Sequence, residues 1–398
     1  MQESVRAEVG RIAPVEGLRG VAVLWVILFH CFVLRPDDPW VRAVAASPLA
    51  PFVRNGYLGV DLFFLISGFL LAMPWFVHSQ RHRPAPSIAG FYARRFWRIA
   101  PAYYVQIVFL FAVVLPALRG TDYWRYDLWV YVYNFFAHAL FLHNTTPLSS
   151  GSMAVNGALW TLSVEAQFYL VLPLVMPLVV RWPKAALVAS LAIAAWWRTA
   201  SQLGLDGLVL AELAMGRTWS WQEGTVRYLL LHQMPAYLAH FALGILLGRA
   251  WLLGHGRARP AWPFDLLALA GALLLYWTLA IDGALLGGWS WVLPVVALGA
   301  LLHWSASRPG TLASSALGRG PLAALGRISY SAYLYHLPLL ILANEFLAGT
   351  PAWAVIPFYL AVTLSAAWLS WRYVEQPFLR RYVRDREPTA SAVTMASS

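Results

Sequence analysis

The stretch RIAPVEGLRGVAVLWVILFHCF, residues 11–32, decides the fold class. It is apolar enough to cross a bilayer, which takes about 20 mainly apolar residues. It nevertheless carries Arg19 near one end and His30 near the other, and lipid tolerates an ionisable side chain only at a cost. The two residues are eleven positions apart, about three helical turns or about 16 Å, and so project from nearly the same face. One helical stripe therefore joins a guanidinium to an imidazole.

The rest of the chain repeats the apolar theme. Of its 398 residues, 60% are hydrophobic, 12% are charged and 21 are tryptophan, far from the balance of a soluble domain. Apolar runs near 17–34, 56–76, 101–118, 159–180, 185–201, 234–253, 264–282, 289–306, 328–348 and 353–371 predict an all-α, polytopic membrane protein of about ten transmembrane helices. Residues 17–382 read as one membrane domain, 1–16 as a cytoplasmic segment leading into a retained signal-anchor helix, and 383–398 as a disordered cytoplasmic tail. A further stretch, 128–142, is short and rich in Tyr, Asn and His, and fits a re-entrant or interfacial segment as well as a crossing.

Charge selects among these topologies. The formal net charge is +11, carried by 29 Lys and Arg against 18 Asp and Glu. In a chain this hydrophobic such an excess belongs to cytoplasmic loops rather than to nucleic acid. With ten crossings and both termini cytoplasmic, 21 of the 29 basic residues fall inside, as the positive-inside rule requires; an eleventh crossing at 128–142 inverts the basic loops that follow. Lys184 is the only lysine, an arginine bias that points to a GC-rich bacterial genome and hence to the inner (plasma) membrane. The lone Cys31 excludes a disulfide framework and a cysteine metal cluster, and no metal site is predicted.

Counted from the outer ends of their helices, His30, Asp61 and Glu165 lie four to six residues deep, roughly 6 to 9 Å at 1.5 Å per residue. Three ionisable groups from three helices are thus expected at one level. A histidine with a carboxylate partner is a general base; a purely structural polar cluster is the alternative reading. Across the membrane, FYARRFWRIAP (91–101) sets Arg95 and Arg98 three apart on one helical face beside Arg94, where guanidinium forks match phosphate oxygens; an ordinary basic loop facing lipid headgroups is the alternative. RISYSAYLYHLP (327–338) lines up Ser329, Tyr333 and His336 as one polar stripe. Its side chains suit core hydrogen bonds between helices; Tyr333 and His336, with Ser67, are the further pocket candidates. Cys31 points about 100° away from its neighbour His30, against a Cys–His nucleophile pair.

These segments also carry a resemblance. LRGVAVLWVILFH (18–30), GVDLFFLISGFLL (59–71), FYARRFWRIAPAYY (91–104), LWTLSVEAQFYLVLP (159–173), LGRISYSAYLYHLP (325–338) and WRYVEQPF (371–378) occur in the order by which the chain resembles the acyltransferase-3 family, multi-pass membrane enzymes that move acyl groups, often acetyl, onto sugars and other exported molecules. The resemblance implies that His30, eleven positions after Arg19, corresponds to the family's catalytic histidine, and Arg95 with Arg98 to its cytoplasmic Arg-x-x-Arg pair associated with acyl-CoA. Asp61 and Glu165 fall on positions typical of the family. The chain departs at Ala166, where many members have a second glutamate. No match to the hydrolase-like domain of larger members is found, so transfer is expected without one.

The expected activity is that of a membrane-bound O-acyltransferase. Acyl-CoA, acetyl-CoA first, is the cosubstrate on Arg95, Arg98, Arg94 and Arg19, and no cofactor is bound permanently. The acceptor is a hydroxyl of a carbohydrate or of a glycosylated small molecule or lipid. His30 takes the hydroxyl proton while Asp61 or Glu165 orients the imidazole. The expected partners are these substrates and the bilayer, with no nucleic acid and no obligate protein partner. The opposing class is a transporter whose intramembrane His and acids form a proton relay; it needs no CoA phosphate site.

Overall fold

The computed structural model describes residues 12–81, 85–120, 127–146, 149, 154–202, 229–254, 262–280, 290–307 and 316–384. The N-terminal segment before residue 12 and the tail from residue 385 lie outside them. Every regular element among the described residues is helical, because within hydrocarbon a segment must satisfy its own backbone donors and acceptors.

In chain order the helices are α1 (Ala13–Val33), α2 (Pro39–Ala45), α3 (Ala50–Arg54), α4 (Leu58–Arg81), α5 (Ile88–Phe109), α6 (Leu115–Arg119), α7 (Leu128–Ala139), α8 (Trp160–Arg181), α9 (Pro183–Gln202) and α10 (Met234–Gly254). They continue as α11 (Trp262–Ala280), α12 (Val292–Ser307), α13 (Gly320–Arg327), α14 (Ser329–Phe346), α15 (Ala352–Ser370) and α16 (Gln376–Arg384). A π-helical turn, Leu110–Val114, joins α5 to α6, and another, Trp371–Glu375, joins α15 to α16. A 3₁₀ turn, Ala154–Leu159, leads into α8.

The protein is a multi-pass membrane protein. Seven helices among the described residues are long and apolar enough to cross a membrane: Ala13–Val33, Leu58–Gln80, Ile88–Leu118, Asn156–Arg181, Leu229–Gly254, Trp262–Ala280 and Ala352–Arg380. The three other predicted spans are also single helices, α9, α12 and α14, but α12 has only 16 residues and α9 and α14 interrupt their apolar faces with Arg198, Ser201, His336 and Asn344. The 12 residues of α7 extend about 18 Å, well short of the ~30 Å hydrocarbon core.

The frame is set by α4, the most deeply buried of the seven spans, which packs along α10. A Cβ at Gly68 would lie 2.2 Å from the Phe241 carbonyl oxygen, and one at Gly244 2.1 Å from that of Leu65. The two backbones touch, an approach that small residues permit and that drives helix association in lipid. α1 packs on α4, α13 and α14.

Beyond the end of α1, Arg35 closes the bundle. Its guanidinium donates to Asn344 Oδ1 (2.6 Å), the Thr350 carbonyl (2.7 Å) and the Leu347 carbonyl (3.1 Å). Asp38 caps α2 by accepting from the Trp40 and Val41 amides and also accepts from the Ala352 amide at 2.8 Å. The far end of α1 is thereby tied to the α14–α15 turn.

The stretch between α7 and α8 folds inward. His138, His143, Asn144 and Asn156 are buried, Tyr103 OH donates to the His138 carbonyl (2.8 Å) and Asn156 Nδ2 to the Leu334 carbonyl (3.2 Å). Ser163 Oγ donates to the Phe141 carbonyl (2.6 Å), so α8 starts inside the bundle rather than at its surface.

Candidate active site

The site is two compartments separated by Tyr333. The first is a cavity of about 130 Å³ on which α1, α4, α5, α8 and α14 converge. Arg19 reaches it from the first turns of α1, Arg95 and Arg98 from α5, Ser67 from α4, Glu165 and Tyr169 from α8, and Ser329, Tyr330 and Tyr333 from α14. Val60, Phe63, Phe64, Leu70, Ile99 and Leu162 make its apolar wall. Arg94, adjacent in sequence, does not line it, because consecutive helical residues diverge whereas those at i and i+3 share a face.

Each charged group is held differently. Arg98 Nη1 donates to Glu375 Oε2 at 3.0 Å, and the other oxygen of that buried carboxylate accepts a short hydrogen bond from Ser331 Oγ. Glu375 closes the π-helical turn after α15; the wider turn redirects its side chain into the bundle, a common use of π-bulges at functional sites. Arg19 faces Glu16 at 3.9 Å. Arg95 Nε is buried with no hydrogen-bond partner among the described residues, and so is Ser329 Oγ. Buried donors without partners are rare in folded chains, and here they lie in the wall of the cavity.

Glu165 is part of this cavity. It accepts from Ser67 Oγ (2.9 Å) and from Tyr169 OH one turn along α8 (2.5 Å). It does not orient His30. Its hydrogen bonds go to Ser67 and Tyr169, and none joins it to the His30 ring among the described residues. Asp61 is not His30's partner either: its carboxylate lies 2.8 Å from His240 Nε2 on α10, drawn there by the close α4–α10 crossing.

The second compartment lies beyond Tyr333. The Tyr333 hydroxyl donates to the Ala158 carbonyl (2.9 Å) and accepts from Thr161 (3.0 Å), while its ring lies 6.2 Å from Phe63 and 5.2 Å from His336. His336 in turn meets His30 edge to face, with ring centroids 4.9 Å apart. His30 Nδ1 lies 2.9 Å from the Val26 carbonyl and His336 Nδ1 2.6 Å from that of Tyr333. A run of touching rings thus connects the cavity to His30, which does not itself line it.

Three participants were not singled out from the sequence. Tyr169 is legible in hindsight, four residues after Glu165 and so on its face. His240 is a lone histidine in an apolar helix, with no pattern to mark it. Glu375 lies in a quoted motif but needed the π turn to reach Arg98.

With the geometry described, comparison with known proteins gives the family. The profile of the acyltransferase-3 family, described as an acyltransferase domain, matches residues 12–372. The chain belongs to the acyltransferase-3 family. Relatives of this acyltransferase-3 protein include the peptidoglycan O-acetyltransferase OatA of Listeria monocytogenes, 25% identical over 95% of this chain and 57% of the relative. The O-acetyltransferase OatA of Staphylococcus aureus is 24% identical over 92% and 57%, and nodulation protein 10 of Rhizobium leguminosarum bv. viciae 29% identical over 81% and 82%. The chain therefore spans little more than half the length of the OatA relatives it matches. No solved structure matches it.

Proposed function

We propose that this protein is an O-acyltransferase that moves an acyl group, acetyl first, from acyl-CoA to a hydroxyl of a carbohydrate or of a glycosylated small molecule or lipid. The observation that carries this reading is the cavity: three arginines converge in it, one whose buried Nε has no partner among the described residues, and its far wall, Tyr333, touches the histidine pair. Membership of the family and likeness to two O-acetyltransferases support the class of reaction.

The donor enters from the cytoplasmic side of the inner membrane, where both termini also lie, and its phosphates meet Arg95, Arg98 and Arg19. Guanidinium groups bind phosphate by charge-assisted hydrogen bonds. The thioester arm runs along the apolar wall toward Tyr333. The acceptor approaches His30 from the opposite side. Its hydroxyl oxygen attacks the thioester carbonyl, His30 Nε2 takes the hydroxyl proton, the C–O bond forms and the C–S bond breaks. The departing thiolate then takes the proton to give free CoA. Positioned proton transfer of this kind contributes roughly 10² to 10⁴ in rate. Asp61 stabilises the α4–α10 frame through His240, and Glu165 balances the arginine charge of the cavity.

The test uses the full chain reconstituted in vesicles with labelled acetyl-CoA and a panel of carbohydrate acceptors, alongside mass spectrometry of surface glycans and secreted metabolites from strains with and without the gene. Saturable CoA binding and label in an ester product are expected. A purified, folded protein that binds no CoA and forms no acyl ester with any acceptor would falsify the assignment.

A further inference from the structure

The proposed reaction leaves one buried group unused. His336 is fully buried, its Nδ1 faces the Tyr333 carbonyl, and its Nε2 has no hydrogen-bond partner among the described residues. A carbonyl oxygen only accepts, so the Nδ1 beside it carries the hydrogen, and in a neutral imidazole the other nitrogen is then a bare lone pair. His30 is held in the same way by the Val26 carbonyl. Two histidines with adjoining rings are thus locked by their own helices into the same tautomer, each with Nε2 as its proton-accepting nitrogen.

A base that gains a proton inside a bundle becomes a cation in a medium that solvates it poorly. The usual remedy is a carboxylate, yet Asp61 is taken by His240 and Glu165 by Ser67 and Tyr169, and among the described residues no carboxylate hydrogen-bonds to either ring of the pair. The ionisable neighbours are neutral in kind: Cys31 next to His30 on α1, Tyr333 on α14, Tyr359 of α15, whose hydroxyl donates to the His336 carbonyl at 2.9 Å, and Tyr57, which reaches His30 only through Phe29.

No hydrogen bond joins the two adjoining rings at rest among the described residues. We propose that His336 is the positioning partner of His30: once His30 Nε2 has taken the proton from the acceptor hydroxyl, it turns that N–H from the alcohol oxygen to the His336 Nε2 lone pair, which holds the proton between two imidazoles until the leaving thiolate collects it. The step balances: one proton leaves the hydroxyl as the C–O bond forms, resides on the pair, and ends on the CoA sulfur as the C–S bond breaks. No other donor or acceptor is required. The anchoring of α1 to the α14–α15 turn through Arg35 and Asp38 then has a purpose, since it fixes the distance between the two rings. This inference rests on the acyltransfer reading given above.

The experiment compares wild type with His336→Gln and His336→Ala, using thermal melting in detergent as the folding control. His336→Gln is expected to lower kcat about 10- to 100-fold, the worth of one charge-assisted hydrogen bond, while KM for acetyl-CoA and CoA affinity stay within about threefold. The pH profile of kcat should move, and added imidazole should restore part of the kcat lost in His336→Ala by occupying the vacated space. A structural role moves neither the profile nor the imidazole response. The inference is overturned if folded His336→Gln keeps wild-type kcat, or if kcat falls with an unmoved pH profile and no imidazole rescue. Wild type that turns over normally beside an unaffected variant sinks only this inference; wild type that neither binds CoA nor transfers acyl groups sinks the proposed function and this inference with it.

Discussion

The arginine cavity and the histidine pair lie on the two sides of Tyr333 and solve the problem of polarity inside a membrane protein in opposite ways. In the cavity, charge is met with charge: Arg98 with Glu375, Arg19 with Glu16, and Glu165 among the guanidinium groups. In the histidine compartment the groups are neutral, each ring is fixed by a backbone carbonyl, and no ion pair is present among the described residues. Charged recognition sites tolerate a polar, ligand-sized opening because their ions are compensated before the ligand arrives. A proton-transfer site benefits from dryness, because a poorly solvated base acts more strongly on a hydroxyl aligned with it.

The sharpest way to break this comparison is to exchange the roles. If His30 is the base, His30→Gln lowers transfer by 10² or more, since an amide cannot take up a proton, while CoA affinity stays within a few-fold because the arginine compartment is untouched. Steady-state transfer and calorimetric CoA titration read the two quantities separately; a glutamine enzyme that acylates at near-normal rate would remove the base. The mirror experiment, Arg95→Ala with Arg98→Ala, should weaken CoA binding roughly 10- to 100-fold and leave the chemical step in single turnover at saturating donor much less changed. Lysines at both positions should restore only part of the affinity, since a point charge lacks the fork.

A smaller effect concerns the frame that holds both compartments. Gly68→Val forces a branched side chain into the Phe241 backbone and should cost about 1 to 3 kcal/mol as overpacking, visible as a lower melting temperature and a loss of both activity and CoA binding. Retention of wild-type stability would mean that the α4–α10 crossing can open.

The smallest expected effect is at Asp38. The Ala352 amide, followed by those of Val41 and Trp40, holds its carboxyl below the usual carboxylate range. The stability it contributes is therefore present above the unfolded value near 3.9 and is lost as pH falls through the lower folded value. Asp38→Ala should cost about 1 kcal/mol near neutral pH, as expected for a lost helix cap, and the difference from wild type should shrink in acid. Parallel melts at pH 7 and pH 3 measure it.

What the sequence discloses follows from which physical signals are local. Apolar length marks the spans because the bilayer imposes it, and the separation of Arg95 from Arg98 marks a shared face because helical geometry imposes that. The family motifs add the order of the segments. Side-chain direction is only partly local: Glu165 shares a face with Tyr169 one turn on and bonds to Ser67, not to His30. Pairing is not local. His240 lies 179 positions from Asp61, and Glu375 lies 277 from Arg98, and only the touching backbones of α4 and α10 and the π turn after α15 bring those partners into reach.

That π turn has a kinetic consequence. By delivering Glu375 to Arg98, it installs a resident anion at one of the guanidinium groups proposed to receive the donor's phosphates. An arriving phosphate must displace or share that carboxylate, so part of the attraction is spent before the ligand is bound. The same carboxylate stands ready to reclaim Arg98 when the spent carrier lets go. Under the proposed reaction, in which one CoA leaves for every ester formed, such a competitor weakens hold on the donor, hastens departure of the product and keeps the empty site from retaining any passing anion.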